Sequence, residues 1–580
     1  MARTIWGRVL VIAAALAAVL ALGGCAPATT PPASAPGDLL VVVCPTLGWS
    51  DVTSGEMPVT RMLAERGATG LVVSRTPSEA VSQLGTLWAT GGTGDMASAM
   101  AEGTPAEVDG RVAEAVGQAA RGTSVAVVAL PTAARAGFVA ILGSGYGPGL
   151  LTSASTRRRG IVTDGDLQAT FAAITGAAPA DRAGGVAAGV IPTDDSSADR
   201  LAGLVELETF LSAMERIRYP LLTAYTALVV ALVLVGWRLV ESMRARPSFG
   251  YLSLVVRRAL LFCLGLPAGG TLLHIIERTP TSPARIITQL LAATALVWLF
   301  SQFAWHKWGT GAAVALTGLV TAGIIAVDQL LGAPLSVSSL FSYSPLMALR
   351  FYGLGNEGAA VLVGAALTGI ALELDAAKSS GPTVRWAAIA AAAVTVGIAV
   401  LPFFGANVVV ALWGTVTFAV FAVRAGGGRF GWRQAAWTCA LAGLAVVAAV
   451  ALDRAFGSGT HISRAVGDAS AGELSALVLA RLRTSLAIFG SSPLPAVVLA
   501  IVIGFGYLLV RPRGAMADTL TAHPLLRAAL AAGFAGGALG AIVEDSGLVI
   551  LGLMLLYLAG ALTMLLLEPE GERLRREALS

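Results

Sequence analysis

The chain has 580 residues, of which 56% are hydrophobic and only 13% charged, a balance that excludes an ordinary soluble protein. Its net charge of +4 is small and unevenly spread. Residues 26–215 carry 19 Asp and Glu against 11 Arg and no Lys, so this stretch repels phosphate backbones and no nucleic-acid partner is expected.

Arg3 and Arg8 precede an apolar run from Val9 to Leu22, the charged and hydrophobic regions of an export signal. The run closes on Leu22-Gly23-Gly24-Cys25, which resembles a bacterial lipobox, whose cysteine is lipidated. Two readings of residues 1–25 stand side by side: a signal peptide with Cys25 lipidated, and a retained anchor helix. Both place the next residues outside the cytoplasm. Residues 26–37, rich in Pro, Ala, Thr and Ser, read as a flexible linker.

A soluble extracytoplasmic domain is expected over 38–212. The continuous apolar run of residues 38–44 predicts a strand buried on both faces. Strands are also predicted over 68–74, 124–130, 138–142 and 160–163, and helices over 58–66, 106–121 and 164–175. Strand and helix alternate, which predicts an α/β domain with an open, mostly parallel sheet and any site at the carboxyl ends of its strands. Over 213–567 about eleven apolar segments predict an all-α polytopic bundle, with spans near 219–239, 257–276, 285–305, 309–330, 355–373, 385–402, 405–423, 434–452, 493–510, 526–543 and 546–567. Residues 568–580 form a tail. With the soluble domain outside, the inner loops and tail hold 17 Lys and Arg and the outer loops 7, so loop charge agrees with the export signal and puts the C-terminus in the cytoplasm.

On this topology four polar segments fall at the outer membrane boundary. They are Arg350-Phe-Tyr352-Gly-Leu-Gly-Asn356-Glu357, Phe404-Gly-Ala-Asn407, His461-Ile-Ser-Arg464 and Glu544-Asp545-Ser-Gly547. Carboxylates at the mouth of apolar helices are costly unless paired, so Arg350, Tyr352, Asn356, Asn407, His461, Arg464, Glu544 and Asp545 are candidate substrate-binding residues and Glu357 a candidate catalytic one. If they form one site, Glu357, Asn407 and Glu544 or Asp545 converge on a common outward cavity.

In the soluble domain, Val41-Val-Val-Cys44, the run from Met57 to Gly67, Arg75-Thr76-Pro-Ser78 with Thr90-Gly91, and Gly160-Ile-Val-Thr-Asp-Gly-Asp166 together resemble the alkaline phosphatase superfamily. The resemblance covers residues 38–176. It implies a nucleophile at Thr76, with Asp51 beside it as a second candidate catalytic residue, and it places Cys44 where that family has a metal-binding Asp. Residues 26–215 contain no His, so the ligand set for a divalent metal is incomplete, no metal residue is assigned, and no cofactor is expected. The layout is similar to membrane-bound phosphoethanolamine transferases. The outer polar segments also resemble uncharacterised bacterial polytopic membrane proteins with a degenerate ectodomain of this kind.

These readings predict a cell-envelope membrane protein that handles a lipid-linked or phosphorylated substrate at the outer face, with membrane lipids and lipid-linked envelope precursors as partners. A transporter or flippase with an accessory ectodomain, and a non-catalytic envelope scaffold, are the alternatives.

Overall fold

The computed structural model describes residues 36–44, 47–75, 96–132, 135–143, 145–177, 185–245, 250–336, 338–348, 350–456, 483 and 494–568. Of the sequence-predicted site residues, Cys25, Thr76, His461 and Arg464 lie outside that set.

Among the described residues eight strands make the sheet of the N-terminal domain: β1 (Leu39–Cys44), β2 (Ala68–Val73), β3 (Met96–Met100), β4 (Ser124–Ala129), β5 (Gly137–Leu142), β6 (Gly149–Thr152), β7 (Ile161–Thr163) and β8 (Gly189–Ile191). Their order is β3-β1-β4-β5-β2-β6-β8, with β7 also on β2. The sheet is mixed. Pairs β1–β3, β1–β4, β2–β6 and β2–β7 are parallel, whereas β4–β5, β2–β5 and β6–β8 are antiparallel. Six of the described strands therefore point one way, against β5 and β8, and their carboxyl ends gather at one edge of the sheet.

Helices cover both faces, which is why β1 is apolar throughout instead of alternating. Leu40, Val42 and Cys44 share a core with Val52 of α1 (Trp49–Thr53), Leu63 of α2 (Pro58–Arg66) and Val112 of α3 (Pro105–Gln118). Leu39, Val41 and Val43 meet Leu167, Phe171 and Ile174 of α4 (Asp164–Thr175) on the other side. Asp109 of α3, buried at 4% exposure, accepts from the amides of Val59 (2.9 Å) and Thr60 (2.7 Å) in the first turn of α2, a carboxylate at the positive end of a helix.

A single helix, α5 (Ser197–Ala245), leads from this domain into the membrane without a break at Pro220. At 1.5 Å per residue it is roughly 70 Å long. The expected boundary at 212/213 falls inside it, so the N-terminal domain and the first span share one rod. The remaining helices are α6 (Gly250–Ile276), α7 (Pro283–Trp308), α8 (Thr310–Leu330), α9 (Asn356–Ala376), α10 (Pro382–Val400), α11 (Val410–Ala425), α12 (Trp432–Phe456), α13 (Leu494–Val510), α14 (Ala515–Ala522), α15 (Pro524–Val543) and α16 (Leu548–Leu566). Nine of the described helices, α5 to α10 with α12, α15 and α16, are long and apolar enough to cross a membrane. Each of the eleven predicted segments meets a helix, but α11 and α13, at 16 and 17 residues, are shorter than the nine.

Leu296, Leu299, Phe300 and Phe303 on α7, and Trp437, Leu441, Leu444 and Val447 on α12, are exposed, whereas α9 and α16 are the most enclosed helices. Apolar outside and packed inside is the pattern lipid demands, and the chain is a multi-pass integral membrane protein. Where α8 crosses α9, a Cβ on Gly318 would lie 2.6 Å from the Ala365 carbonyl oxygen and one on Gly369 2.9 Å from that of Ala315. Glycine on both sides lets the two backbones touch.

Candidate functional site

Asn356 begins α9, and its side chain joins three segments far apart in sequence. Its Nδ2 donates to Asp545 Oδ1 (2.5 Å) and Ser546 Oγ (3.3 Å), and its Oδ1 accepts from Asn407 Nδ2 (2.9 Å). Asn407 Nδ2 also donates to the Leu354 carbonyl at 3.3 Å. Ser546 Oγ in turn donates to Glu357 Oε1 (3.2 Å) and lies 3.3 Å from the Tyr343 hydroxyl. Glu544, 3% exposed, takes the indole N–H of the fully buried Trp413 at 3.1 Å. Glu357, Asn407 and Asp545 thus converge with Asn356 and Ser546 in one hydrogen-bonded cluster at the head of α9, α11 and α16, and Glu544, next to Asp545 in sequence, is held apart by Trp413. The second carboxylate oxygen of Glu357 is shut from solvent and has no hydrogen-bond partner among the described residues.

Arg350 does not face this cluster with a free guanidinium. Its Nη1 donates to the Leu354 (3.0 Å) and Gly405 (3.3 Å) carbonyls and so pins the 350–355 loop to the turn between α10 and α11. The Leu354 amide donates to the same Gly405 oxygen at 2.7 Å. Gly353 sits at φ +76°, and a Cβ there would lie 2.2 Å from that oxygen, so only glycine fits.

The carboxyl edge of the N-terminal sheet rests on these loops. After β2, Arg75 Nε donates to the Ala348 carbonyl (2.9 Å). After β6, Arg157 donates to the Pro402 carbonyl (3.0 Å) and lies 4.0 Å from the centre of the Tyr352 ring, while Arg158 donates to Phe351 (2.7 Å) and Ala333 (3.0 Å). Burial pulls the Arg158 guanidinium down to about 10, with Asp328 of α8 opposing that shift, so it stays charged at neutral pH. Of the six non-glycine residues at positive φ among those described, Arg157, Ala333, Ser338, Ala348 and Ala406 lie in the loops of this seam. Held backbone strain of that kind gathers where surrounding structure over-determines a site. Burial, chiefly, and then the nearby Glu357 raise the Tyr343 phenol well above its ordinary range, so its hydroxyl keeps its proton beside Ser546.

In the N-terminal domain, Asp51 Oδ2 accepts from the Gly48 amide (2.8 Å) and lies 3.6 Å from Arg135, whose Nε meets Glu208 of α5 at 2.6 Å. Its contacts fasten α1 to the membrane-entering helix. Asp164, at the end of β7, accepts from Ser74 Oγ at the end of β2 (2.7 Å). Asp166 is wholly buried and takes Ser155 Oγ, the Thr163 amide and the Val186 amide. Gly143 and Tyr146 pair across a tight turn, and the Tyr146 hydroxyl donates to Ala188 (3.2 Å).

The residues at hand do not fit a two-metal centre. Cys44, where the resemblance expects a metal-binding Asp, is fully buried, and burial, reinforced by Asp109, pushes its thiol from 9.0 up to about 12. A protonated thiol is a poor ligand and nucleophile. Cys44 is therefore expected to resist iodoacetamide in the folded chain at pH 8 and to label once the chain is denatured, as read by peptide mass mapping. Labelling of native protein at the rate of a free thiol would refute this. The same shift has a sign for stability. Folded and unfolded thiols are alike below pH 9, and between 9 and about 12 the unfolded thiol ionises first, so stability falls as pH rises through that window.

Sequence reasoning missed Arg75, Arg157, Arg158, Tyr343 and Trp413. The run Arg157-Arg158-Arg159 inside an acidic domain was the available signal for the docking edge. No known protein family, curated protein or solved structure matches the chain.

Proposed function

We propose that this protein handles a lipid-linked or phosphorylated envelope substrate at the outer face of the membrane, in the seam between ectodomain and bundle. One observation carries the reading: the carboxyl edge of the sheet, where α/β domains place their sites, lies against loops that hold the Asn356–Asp545–Ser546–Glu357 cluster, in which Asn356 is buried and Asp545 exposed. The sidedness rests on loop charge, which puts the arginine-rich loops in the cytoplasm and the ectodomain outside. Ectodomain chemistry of the two-metal kind forms no part of the proposal, because Cys44 and the absence of His from residues 26–215 do not support it.

The intact chain in nanodiscs of total envelope lipid should retain a lipid through native mass spectrometry, and Asp545→Asn, which keeps shape and removes charge, should lose most of it. The substitution takes the charge from an exposed acceptor for a hydroxyl or amine donor of the headgroup, and that charge-assisted hydrogen bond is worth about tenfold in affinity. Equal retention by wild type and Asp545→Asn would sink the seam as the binding site.

A further inference from the structure

Arg218 stands where α5 leaves the ectodomain, and it is 3% exposed. Its guanidinium makes no hydrogen bond and no ion pair with any described residue, and its Nε is sealed from solvent without a partner. Its contacts are two aromatic faces, Tyr343 at 5.6 Å and Tyr219 at 5.7 Å. Tyr343 is the same ring whose hydroxyl meets Ser546, one hydrogen bond from Glu357. A guanidinium does not escape burial by losing its proton, and stacking on aromatic rings recovers only part of its lost hydration. Glu215, one turn earlier on α5, also buries a carboxylate oxygen without a partner, but no ion pair joins the two, so the guanidinium still lacks a paired anion.

We infer that Arg218 binds the phosphate of a lipid phosphodiester headgroup at the site proposed above, and the inference rests on that reading. Charge selects the class. Glu357, Glu544 and Asp545 make the surroundings negative, so a doubly charged phosphomonoester is repelled, whereas a singly charged phosphodiester meets the planar fork of Arg218 and leaves less charge facing the carboxylates. Position selects the source. Residues 201 and 204 of α5 pack in the ectodomain core, and Tyr225, seven residues beyond Arg218, donates to the Cys263 carbonyl inside the bundle at 3.2 Å. Arg218 lies between the two, at the junction of the soluble domain and the first apolar span, where a lipid headgroup is the ligand at hand. The open oxygen of Glu357 remains for a donor on the far side of the headgroup.

The experiment uses the full chain in nanodiscs of phosphatidylglycerol, or of a galactosyl diacylglycerol that lacks phosphate, with inorganic phosphate added to the latter as a third arm. Retained lipid is counted by native mass spectrometry, and the reactivity of Arg218 toward phenylglyoxal is mapped in the wild-type protein, which needs no variant to fold. Retention and Arg218 protection are expected with phosphatidylglycerol and absent with the galactolipid, and Arg218→Gln should weaken phospholipid retention about 10- to 100-fold, with Arg218→Lys partly restoring it. Undiminished retention by Arg218→Gln, while Asp545→Asn loses the lipid, overturns the role of Arg218 and leaves the seam standing. Retention by both variants overturns the seam itself. Protection by inorganic phosphate equal to that by phosphatidylglycerol overturns the lipid as source, and galactolipid protection equal to phospholipid protection overturns the phosphate.

Discussion

Arg158→Ala is expected to loosen the N-terminal domain from the membrane domain and to lower the stability of the chain by about 3 kcal/mol. The side chain makes two charge-assisted hydrogen bonds across the seam, to Phe351 and Ala333, and Asp328 lies near enough to stabilise its charge. Removing it strands both carbonyls and leaves Asp328 with its own loop donors, the Leu335 amide (2.7 Å) and the Ser336 hydroxyl. Ala333 is held at φ +60°, so the contact also supports a strained backbone. Thermal unfolding of the detergent-solubilised chain, together with the rate of trypsin cleavage at Arg157 and Arg159, reads the effect. Cleavage should rise several-fold, and Arg158→Lys should recover only part of the loss, because one ammonium cannot span two carbonyls as a guanidinium fork does. An Arg158→Ala protein with unchanged melting and cleavage would mean that the ectodomain is held by its other contacts and that the seam is not a specific interface.

The legible part of this molecule was whatever hydrophobic patterning alone decides. β1 and β4 were predicted because helices on both faces leave no polar position in them, and the α2 start was legible from Pro58. The strands that went unseen, β3 (Met-Ala-Ser-Ala-Met), β6 and β8, are short and rich in small residues, and they are strands only because a neighbour offers an unsatisfied edge. The short helices α11 and α13 read as spans by composition, since hydropathy reports what lipid tolerates and not how long the helix runs. At the site, sequence singled out polar groups beside long apolar runs, and the fold brings Asn356, Glu357, Asn407 and Asp545 of that set together. It could not show that Arg350 is spent on backbone carbonyls, or that Tyr352 lies under Arg157, because both facts depend on how two domains dock. Nor could composition distinguish Arg218 from the other arginines flanking the spans, most of which topology explains.

Asn356→Asp tests whether the cluster is a tuned unit or a chance meeting of loop residues, and it is expected to cost about 2 kcal/mol, more than Asn356→Ala, with the exposure of Asp545 screening part of the repulsion. The substitution barely changes volume, but it replaces the amide that donates to Asp545 with a carboxylate, and two like charges then stand 2.5 Å apart where one hydrogen bond had been. The bond from Asn407 survives, since either oxygen of the new residue accepts it. Alanine loses both bonds yet adds no repulsion, so the order of the two variants separates electrostatics from simple loss of contact. The decisive protein is the double variant Asn356→Asp with Asp545→Asn, which exchanges donor and acceptor and restores the pair in mirror image. Its melting temperature should return most of the way to that of the wild type, a coupling of about 2 kcal/mol between residues 189 positions apart. If the double variant is instead as unstable as the sum of the two single ones, the Asn356–Asp545 bond does not bind α9 to the turn before α16, and the converged site has no energetic basis.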